Sequence, residues 1–429
     1  MRVLYNIGIR SYFGITGIVG RFNPKAKLFH NGQKGLLEKI QQTIDHTAPI
    51  IWVHCSSVGE FEQARPIIEW YKSEKKGYKI LLTFFSPSGY ELRKNYEHAD
   101  WVFYMPADTT SNAVKFINTV KPAKAIFIKY EFWYNYLREL KRNNIETYIV
   151  SAIFRPSQHF FKWYGSFFRK MLKCYTKIFV QDEQSYKLLE GIDVAENAMI
   201  CGDTRFDRVY KITQSSKEFP VIAEFAKDAF TIVAGSSWDP DEEIIAKVMK
   251  NFPRTKLIVA PHEIGKERIG QVMEIFKEFN IVKFSDFGSA GSSQASLTGQ
   301  VPLTEENMKA LREANVLIID CIGILSSIYR YGKFAYIGGG FGVGIHNILE
   351  AATYACPVVF GPNHKKFKEA NDLVALGGAT CIRNSSEFYS LLQTYVNVPT
   401  VLKEKGDICG NYVQGNLGST QKVVSQIEN

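Results

Sequence analysis

The sequence has 429 residues, a length that is long for one domain and comfortable for two, with the 45% hydrophobic and 22% charged residues of a globular protein. Its formal charge of +9 favours acidic partners such as nucleotides, phosphorylated lipids or a membrane surface, but the basic residues form no single block, so we predict no nucleic-acid partner. The seven cysteines are scattered without a CxxC or a Cys/His group at metal-binding spacing, which indicates reduced thiols in a cytoplasmic protein.

The first 20 residues are apolar but are interrupted by basic side chains, among them Arg2 and Arg10. A spanning helix needs about 20 mainly apolar residues, and Arg10 lies in the middle of this run. No small-residue pattern marks a signal-peptide cleavage site. We therefore predict a membrane-associated helix lying at the interface; the alternative is a helix docked on the protein's own surface.

From residue 48 onward, strand and helix patterns alternate as in a doubly wound α/β domain. Strands are predicted at 50–54, 78–84, 101–104, 125–128, 146–151 and 177–180, and helices at 60–72, 88–96, 111–120 and 133–143.

A polar stretch with a proline, 211–225, interrupts this alternation, and a second alternation follows it. Its predicted strands are 231–234, 256–260, 281–284, 316–320, 334–337 and 357–360, with helices at 241–251 and 266–279. Segment 285–300 is rich in Ser and Gly and is predicted to be a surface loop. Two Rossmann-like domains facing a cleft follow, with ligands at the carboxyl ends of the strands.

The segment WVHCSSVGE at 52–60 has the pattern of a turn from a strand into a helix. Gly59 permits close approach of a ligand, and Glu60 stands at the predicted helix start. A carboxylate in this position can act as a general base on an acceptor hydroxyl, provided that its surroundings raise its pKa. The alternative is that Glu60 only complements the helix dipole.

A second motif, GGGFGVGIHNILEAATYACPVVFGPNHKKF at 338–367, contains five glycines between a predicted strand and a predicted helix over 347–355. Glycine allows positive φ and close approach to the main chain, and a helix start presents unpaired N–H groups, so the pattern favours an anion such as a nucleotide phosphate. His346, Asn347 and Glu350 cluster at the helix start, where Glu350 is placed to accept hydrogen bonds from ribose hydroxyls. The alternative is a capping box formed by Asn347 and Glu350.

Segment 158–177, QHFFKWYGSFFRKMLKCYTK, interleaves aromatic and basic residues at helical spacing. It fits an acceptor face, with aromatics against acyl chains and cations against lipid phosphates. The alternative is a core-facing helix with a solvated basic side.

Several of these motifs, taken in order, resemble the signature segments of the Kdo transferases, glycosyltransferase family 30, which move 3-deoxy-D-manno-octulosonic acid (Kdo) from CMP-Kdo to the lipid A precursor. The segments are HCSSVGE, KYEFWYN at 129–135, GDTRFD at 202–207, AGSSWDPDEE at 234–243, DCIGIL at 320–325, GGGFGVGIHNILE and GPNHKKF. The resemblance implies the GT-B fold and a site of action at the cytoplasmic side of the inner membrane. The arginine that commonly precedes the histidine in the family is absent before His262.

The resemblance also implies roles for individual residues. Glu60 would be the general base of an inverting transfer, and Glu131 and Arg205 would support the charge of the transition state. The structural alternatives are a helix-start carboxylate for Glu131 and a surface ion pair for Arg205. The residues that would hold CMP are Pro261, His262, Gly323, Ile324, Leu325, Asn347, Ile348, Leu349 and Glu350. A phosphate held by N–H groups and a helix dipole needs no bridging metal, so no metal and no cofactor are predicted.

The predicted organisation is a membrane-associated segment over 1–30, an acceptor-binding domain over 31–212 and a CMP-Kdo-binding domain over 213–429. Two other classes of function stay open at this point. One is a GT-B enzyme that uses a UDP-sugar, as in related glycosyltransferases and UDP-sugar epimerases. The other is a non-catalytic nucleotide-sugar-binding protein, for which Glu60→Gln would leave function intact.

Overall fold

The computed structural model describes residues 1–214, 217–287 and 303–429. These residues form two compact units, one of Met1–Arg208 with Gly418–Asn429 and one of Val209–Leu417. Most of the predicted loop over 285–300 lies outside the described residues, and its first residues belong to a 3₁₀ turn, Phe284–Phe287.

Seven described strands of the first unit form one parallel sheet in the order β3-β2-β1-β4-β5-β6-β7. Every residue of β1 is buried, as expected for a parallel strand covered by helices on both faces. The six strands predicted for this domain are present, and the sequence pattern missed β7, which is only three residues long. The strands are β1 (Ile50–Cys55), β2 (Lys79–Phe84), β3 (Trp101–Tyr104), β4 (Lys124–Ile128), β5 (Glu146–Ala152), β6 (Lys177–Val180) and β7 (Ala198–Ile200).

Helices cover both faces of this sheet, and a separate hydrophobic core fills the space on each face. The predicted helices after β1, β2, β3 and β4 are all present, with ends shifted by at most three residues. The helices are α1 (Arg2–Val19), α2 (Pro24–Gly32), α3 (Leu36–Thr43), α4 (Val58–Glu74), α5 (Pro87–Arg93), α6 (Thr110–Val120), α7 (Tyr134–Arg142), α8 (Ser166–Leu172), α9 (Glu183–Glu190) and α10 (Arg205–Gln214).

The N-terminal helix α1 docks on the first unit along one face. The Tyr5 hydroxyl donates to Oδ2 of the buried Asp108 at 2.5 Å, and Asn135 Nδ2 donates to Asn6 Oδ1 at 3.0 Å. Apolar residues on the rest of the helix are exposed, namely Val3, Leu4, Ile7, Ile15 and Ile18. Within the described ranges, every helix is too short or too polar to cross a bilayer.

The helical spacing over 158–177 does not produce one continuous helix. The chain forms a 3₁₀ turn, His159–Phe161, and then α8. Gly165 lies between them, so close to the preceding turn that a Cβ there would meet the His159 carbonyl oxygen at 2.3 Å. This packing folds the segment back on itself and corrects the sequence-based interpretation.

Seven described strands of the second unit form another parallel sheet, in the order β10-β11-β9-β8-β12-β13-β14. The six predicted strands are present and β14 was missed. The strands are β8 (Phe230–Ser237), β9 (Thr255–Pro261), β10 (Ile281–Lys283), β11 (Val316–Ile318), β12 (Phe334–Ile337), β13 (Val358–Phe360) and β14 (Ala379–Cys381).

The helices of the second unit are shorter where the sequence motifs are richest in glycine. They are α11 (Pro220–Ala226), α12 (Asp239–Met249), α13 (Lys266–Ile275), α14 (Glu305–Glu313), α15 (Leu325–Ile328), α16 (Leu349–Ala352), α17 (Lys368–Leu376), α18 (Ser385–Asn397) and α19 (Pro399–Gly415).

The helix predicted over 347–355 is wrong in length, because α16 has only four residues. At its end the backbone tightens to hydrogen bonds of the i to i−3 type, from Tyr354 N to Ala351 O and from Ala355 N to Ala352 O. Ala355 then takes a positive φ of 53°, which ends the helix.

The last helix, α20 (Ser419–Glu428), belongs to the first unit rather than to the second, which corrects the predicted domain limits. Its apolar side chains Val423, Val424 and Ile427 join the core beneath α4. Glu428 accepts hydrogen bonds from Tyr71 at 2.7 Å and from Lys124 at 2.8 Å. Burial of this apolar face explains why the chain returns to its starting unit.

Candidate functional site

The first candidate site lies where the strand order of the first sheet reverses, between β1 and β4. These strands pair in parallel with His54 opposite Phe127, so their carboxyl ends share one edge of the sheet. Ligands of open α/β sheets bind at such a switch point. The loop after β1 supplies Ser56, Ser57 and Glu60, and the loop after β4 supplies Glu131. The structure therefore brings two of the three predicted catalytic residues to one place.

Glu131 is buried, with 1% of its surface exposed, and it lies in the loop before α7 rather than at the helix start. Ser56 donates its hydroxyl to Oε1, and Trp133 Nε1 donates to Oε2 at 2.5 Å. The Tyr175 hydroxyl donates to the Glu131 backbone carbonyl. The side chain thus holds the loops after β1 and β4 together, and the helix-start alternative does not describe it.

A buried chain of polar contacts reaches Glu131 from the other side. Trp52 Nε1 donates to Thr83 Oγ1 at 2.8 Å, because an indole N–H can only donate. Thr83 Oγ1 also lies 2.8 Å from His54 Nδ1, and His54 Nε2 lies 3.3 Å from Glu131 Oε2. Because Thr83 Oγ1 accepts from Trp52, its O–H can donate to His54 Nδ1, and the ring proton of His54 is then on Nε2, the nitrogen nearest Glu131.

Glu60 stands in the first turn of α4 and is partly exposed. Ser57 caps this helix by accepting from Gly59 N at 3.2 Å, and its hydroxyl also bonds to Glu60 Oε2. The carboxylate is therefore fixed at the positive end of the helix and still faces solvent. Of the two acidic residues at this edge, Glu60 is the one that a substrate can reach.

Arg205, the third predicted catalytic residue, lies at the start of α10 beyond β7. Its side chain donates from Nε at 2.9 Å and Nη2 at 2.8 Å to Oδ2 of Asp203, which is 5% exposed, so the partner is a buried carboxylate rather than a surface one. Burial works to raise the pKa of Asp203, but the Arg205 charge and its hydrogen bonds outweigh burial and lower the pKa. Gln63 Nε2 of α4 also donates to Asp203 at 3.0 Å, which connects Arg205 to the helix that carries Glu60.

The second candidate site lies at the switch point of the other sheet, between β8 and β12. The glycines after β12 are required largely by internal packing. A Cβ on Gly338 would meet the Ser236 carbonyl oxygen at 2.2 Å, and one on Gly340 would meet Gly361 N at 2.4 Å. Gly339 has a φ of 88°, whereas a Cβ on Gly342 would meet the Gly339 carbonyl oxygen at 3.8 Å, an ordinary contact distance. The glycine run thus has a structural cause that the sequence analysis did not consider.

Three aromatic rings stack beside this loop. His262, directly after β9, lies between Trp238 and His346, with ring centroids 4.8 Å and 4.4 Å away. Trp238 Nε1 donates to His346 Nε2 at 3.4 Å, so the proton of the neutral His346 ring is on Nδ1. Burial, and then the nearby His262, lower the pKa of His346 to about 4, which leaves the ring uncharged at neutral pH.

The other predicted nucleotide contacts form two adjacent groups. Asn347 Oδ1 accepts from Leu349 N at 3.1 Å, and Asn347 Nδ2 donates to Glu350 Oε1 at 3.0 Å. Ile348 and Leu349 are buried, so they can offer a ligand only their backbone. Helices α15 and α16 are in contact, which brings the Gly323, Ile324 and Leu325 turn beside this group. Pro261 ends β9 next to His262.

Sequence reasoning missed several residues that organise these sites. Ser56, His54 and Trp133 surround Glu131. All three belong to the sequence motifs, but the sequence did not indicate that they contact Glu131. Asp241 was missed as well; its buried carboxylate accepts from Gly339 N at 2.9 Å and from Trp238 N at 3.1 Å. Its position three residues after Trp238 is the spacing of a capping box, a signal that could have found it.

Comparison with known proteins agrees with this architecture. Residues 30–208 match the family described as 3-Deoxy-D-manno-octulosonic-acid transferase (kdotransferase). The 3-deoxy-D-manno-octulosonic acid transferase of Aquifex aeolicus is 28% identical over 385 residues, covering 87% of this chain and 94% of that protein. The protein of the same name from Chlamydia trachomatis serovar D is 25% identical over 328 residues, covering 73% and 70%.

Solved structures share the fold at low identity. UDP-GlcNAc 2-epimerase from Neisseria meningitidis has a TM-score of 0.61 and 13% identity, and the match covers 89% of this chain and 100% of that one. MurG from Acinetobacter baumannii has a TM-score of 0.54 and 11% identity, covering 89% and 99%.

The two parallel sheets with their switch-point loops are thus of the GT-B class, as the resemblance predicted. The chain is similar to the Kdo transferases over most of its length, as its motifs predicted. This relationship supports a Kdo glycosyltransferase of lipopolysaccharide synthesis.

Proposed function

We propose that the protein is a lipid IVA 3-deoxy-D-manno-octulosonic acid transferase, an inverting enzyme that moves Kdo from CMP-Kdo to the lipid A precursor. The observation that carries this proposal is the pair of acidic residues at the β1/β4 switch point, with Glu60 accessible and Glu131 buried behind it. The names of the relatives supply the sugar, and the resemblance of the sequence motifs supplies CMP-Kdo as the donor.

In this reaction Glu60 takes the proton from a glucosamine hydroxyl of the acceptor. The resulting oxygen nucleophile forms a bond to the anomeric carbon of Kdo while the bond to the CMP phosphate oxygen breaks, and CMP leaves from the opposite face with inversion. The hydrogen bond between Ser57 and Glu60 fixes the base in one orientation.

Arg205 and Glu131 would support this step in different ways. Arg205, held by the buried Asp203, would stabilise negative charge that develops on the leaving phosphate. Glu131 is buried, so its contribution would come through Ser56 and through the alignment of the two loops.

The second unit would hold CMP. The backbone N–H of Ile348 and the turn at Gly323, Ile324 and Leu325 would face the phosphate, with Pro261 and His262 beside it, while the N–H of Leu349 is held by Asn347. Glu350, fixed by Asn347, would accept hydrogen bonds from ribose hydroxyls. A single phosphate bound in this way needs no bridging metal.

The exposed side of α1 would place the enzyme on the cytoplasmic surface of the inner membrane. Leu4 is 64% exposed and Ile15 57%, whereas the opposite face docks through Tyr5. An amphipathic helix of this type buries its apolar face at the headgroup boundary, where a lipid acceptor is found.

The test is transfer of labelled Kdo from CMP-Kdo, generated in situ, to tetraacyl lipid IVA in the presence of EDTA. Wild type is compared with Glu60→Gln and with Glu74→Gln, a matched change at the exposed far end of the same helix. We expect transfer by wild type and Glu74→Gln, and a loss of about 10²–10⁴-fold in Glu60→Gln.

Other outcomes contradict parts of the proposal. Equal transfer by wild type and Glu60→Gln would exclude Glu60 as the base, and loss of transfer with EDTA would exclude metal independence. Competition by UDP but not CMP, without Kdo transfer, would instead favour the UDP-sugar alternative.

A further inference from the structure

The first unit contains a pocket of about 500 Å³ that the proposed chemistry does not use. It lies among α1, the loop after β4 and the chain between β5 and α8. Its volume falls within the range of small-molecule sites, about 300–1,000 Å³. We call it the aromatic pocket; the residues that matter below are Tyr5, Tyr130, Phe132, Arg155, Phe160 and Met171.

The inner part of the aromatic pocket is apolar and tightly packed. Phe160 is 6% exposed and Met171 2% exposed. Phe132 packs against Phe160 with ring centroids 4.6 Å apart, and Phe160 in turn contacts Phe154 at 5.9 Å. Such walls exclude a polar ligand, because its hydrogen bonds to water would be lost without replacement.

The outer part is polar and exposed. Arg155, Ser157 and His159 are exposed residues of one short segment that borders the cavity. A ligand suited to both parts has a long apolar end and an anionic or polar head. An acyl chain attached to a phosphorylated sugar has this character, with Arg155 near the charged head.

The aromatic pocket is also continuous with α1. Tyr5 forms part of its wall, and the neighbouring Leu4 and Ile7 on the same helix are 64% and 55% exposed. An acyl chain that leaves a bilayer along this helix can therefore reach the cavity with little exposure to water.

Finally, the pocket borders the loop that carries Glu131, which Ser56 joins to the loop that carries Glu60. Tyr130 and Phe132 border the cavity and flank Glu131 in the chain. Burial raises the pKa of the Tyr130 hydroxyl, Arg155 lowers it and Glu60 raises it, so both charged groups lie within electrostatic range of this ring.

We propose that the aromatic pocket binds one acyl chain of the lipid acceptor and thereby positions the acceptor hydroxyl at Glu60. This inference rests on the proposed function for the identity of the acceptor. It adds a hydrocarbon-binding site within the first unit, with Phe160 and Met171 at its closed end and Arg155 at its mouth.

The direct test is binding of cis-parinaric acid, a fluorescent fatty acid, to the full-length protein. Ser157→Trp places a bulky ring at the mouth from an exposed position, and Ser166→Trp makes the same change at an exposed position of α8 that does not line the cavity. We expect Ser157→Trp to weaken probe binding at least tenfold and Ser166→Trp to leave it unchanged. Equal probe binding by all three proteins would overturn the inference.

A second measurement separates this inference from the proposed function. Kdo transfer is measured with tetraacyl lipid IVA and with its fully deacylated disaccharide. We expect Ser157→Trp to raise KM for the acylated acceptor at least tenfold with little change for the deacylated one. If wild type transfers Kdo but Ser157→Trp keeps the wild-type KM for both acceptors, the pocket does not hold the chain. If wild type transfers to neither acceptor, the proposed function fails, and the probe measurement alone decides whether the pocket binds hydrocarbon.

Discussion

Ser56 donates its hydroxyl to the carboxylate of Glu131, a residue 75 positions later in the chain. The bond joins the loops after β1 and β4 at the point where the sheet order reverses. The loop that carries Glu60 is thus fixed by a buried carboxylate that itself has almost no exposed surface. We expect Glu131 to set the geometry of the site and to contribute strongly to stability.

Two substitutions of Glu131 distinguish the contribution of its hydrogen bonds to stability from the contribution of its side-chain volume. Glu131→Ala leaves Ser56 and Trp133 without their acceptor and removes the carboxylate beside His54, and buried donors without partners cost about 1–3 kcal/mol each. We expect a loss of at least about 3 kcal/mol in the free energy of unfolding, measured by urea denaturation. Glu131→Gln retains one oxygen, and its amide can donate to the Ser56 oxygen, so a loss of about 1 kcal/mol is expected.

The control is Glu196→Ala at an exposed position of the same unit, which should change the free energy of unfolding by less than about 0.5 kcal/mol. If Glu131→Ala were as stable as this control, the buried network around Glu131 would not hold the two loops together.

The sequence predicted the parallel strands well because their buried runs of apolar residues are local signals. It predicted β1 through β6 and β8 through β13, and it missed β7 and β14, which have three residues each. Long-range partners were not predictable. Nothing near Glu131 in the chain indicates the approach of Ser56 or Tyr175, and the return of α20 to the first unit depends on a packing surface made by distant residues.

The glycine loop illustrates a different limit of sequence reasoning. A run of glycines has the same pattern whether a ligand or another part of the backbone approaches it. Here Gly338 approaches Ser236 and Gly340 approaches Gly361, so part of the signal attributed to a nucleotide comes from the fold itself.

A comparison of two glycines separates these causes. Gly338→Ala would place a Cβ 2.2 Å from the Ser236 carbonyl oxygen, and neither backbone segment can yield without displacing its strand. We expect the free energy of unfolding to fall by about 3 kcal/mol, together with loss of CMP binding. Gly342→Ala places its Cβ 3.8 Å from the Gly339 carbonyl oxygen, an ordinary contact, so its stability should be that of wild type, and any fall in CMP affinity would report close approach of the ligand.

Calorimetric titration measures the CMP affinity of both variants, and thermal denaturation measures their stability. A Gly338→Ala protein with wild-type stability would contradict the packing explanation for this glycine.

Asp108, which accepts a hydrogen bond from Tyr5 of α1, makes the free energy of unfolding dependent on pH. Burial raises the pKa of its carboxyl to about 6, against the hydrogen bonds from Tyr5 and from the backbone N–H groups of Asn135 and Tyr136. Between about pH 4 and about pH 6 the folded state holds a proton on Asp108 that the unfolded state has lost. The contribution of Asp108 to the free energy of unfolding therefore falls as the pH rises through this interval and is constant above pH 6. The effect is of the order of 3 kcal/mol for a shift of about two pKa units.

The measurement is the free energy of unfolding of wild type and Asp108→Asn between pH 4 and pH 7. The difference between the two proteins isolates Asp108 from all other titrating groups. We expect wild type to lose stability relative to Asp108→Asn over this interval, and a constant difference would contradict the buried, proton-binding state of Asp108.

The surroundings of His346 predict the pKa of its imidazole. Burial and the neighbouring His262 lower its pKa to about 4, and the hydrogen bond from Trp238 Nε1 occupies the nitrogen that would take the proton. The unfolded chain binds this proton more readily than the folded chain, so the contribution of His346 to stability is present above pH 6.5 and is lost as pH falls toward 4.

Trp238→Phe removes the indole donor and should raise the pKa of His346, which histidine NMR titration measures directly. Trp70→Phe makes the same substitution in the other unit and should leave that pKa unchanged. An unshifted His346 titration in Trp238→Phe would mean that burial and His262 alone keep the ring neutral.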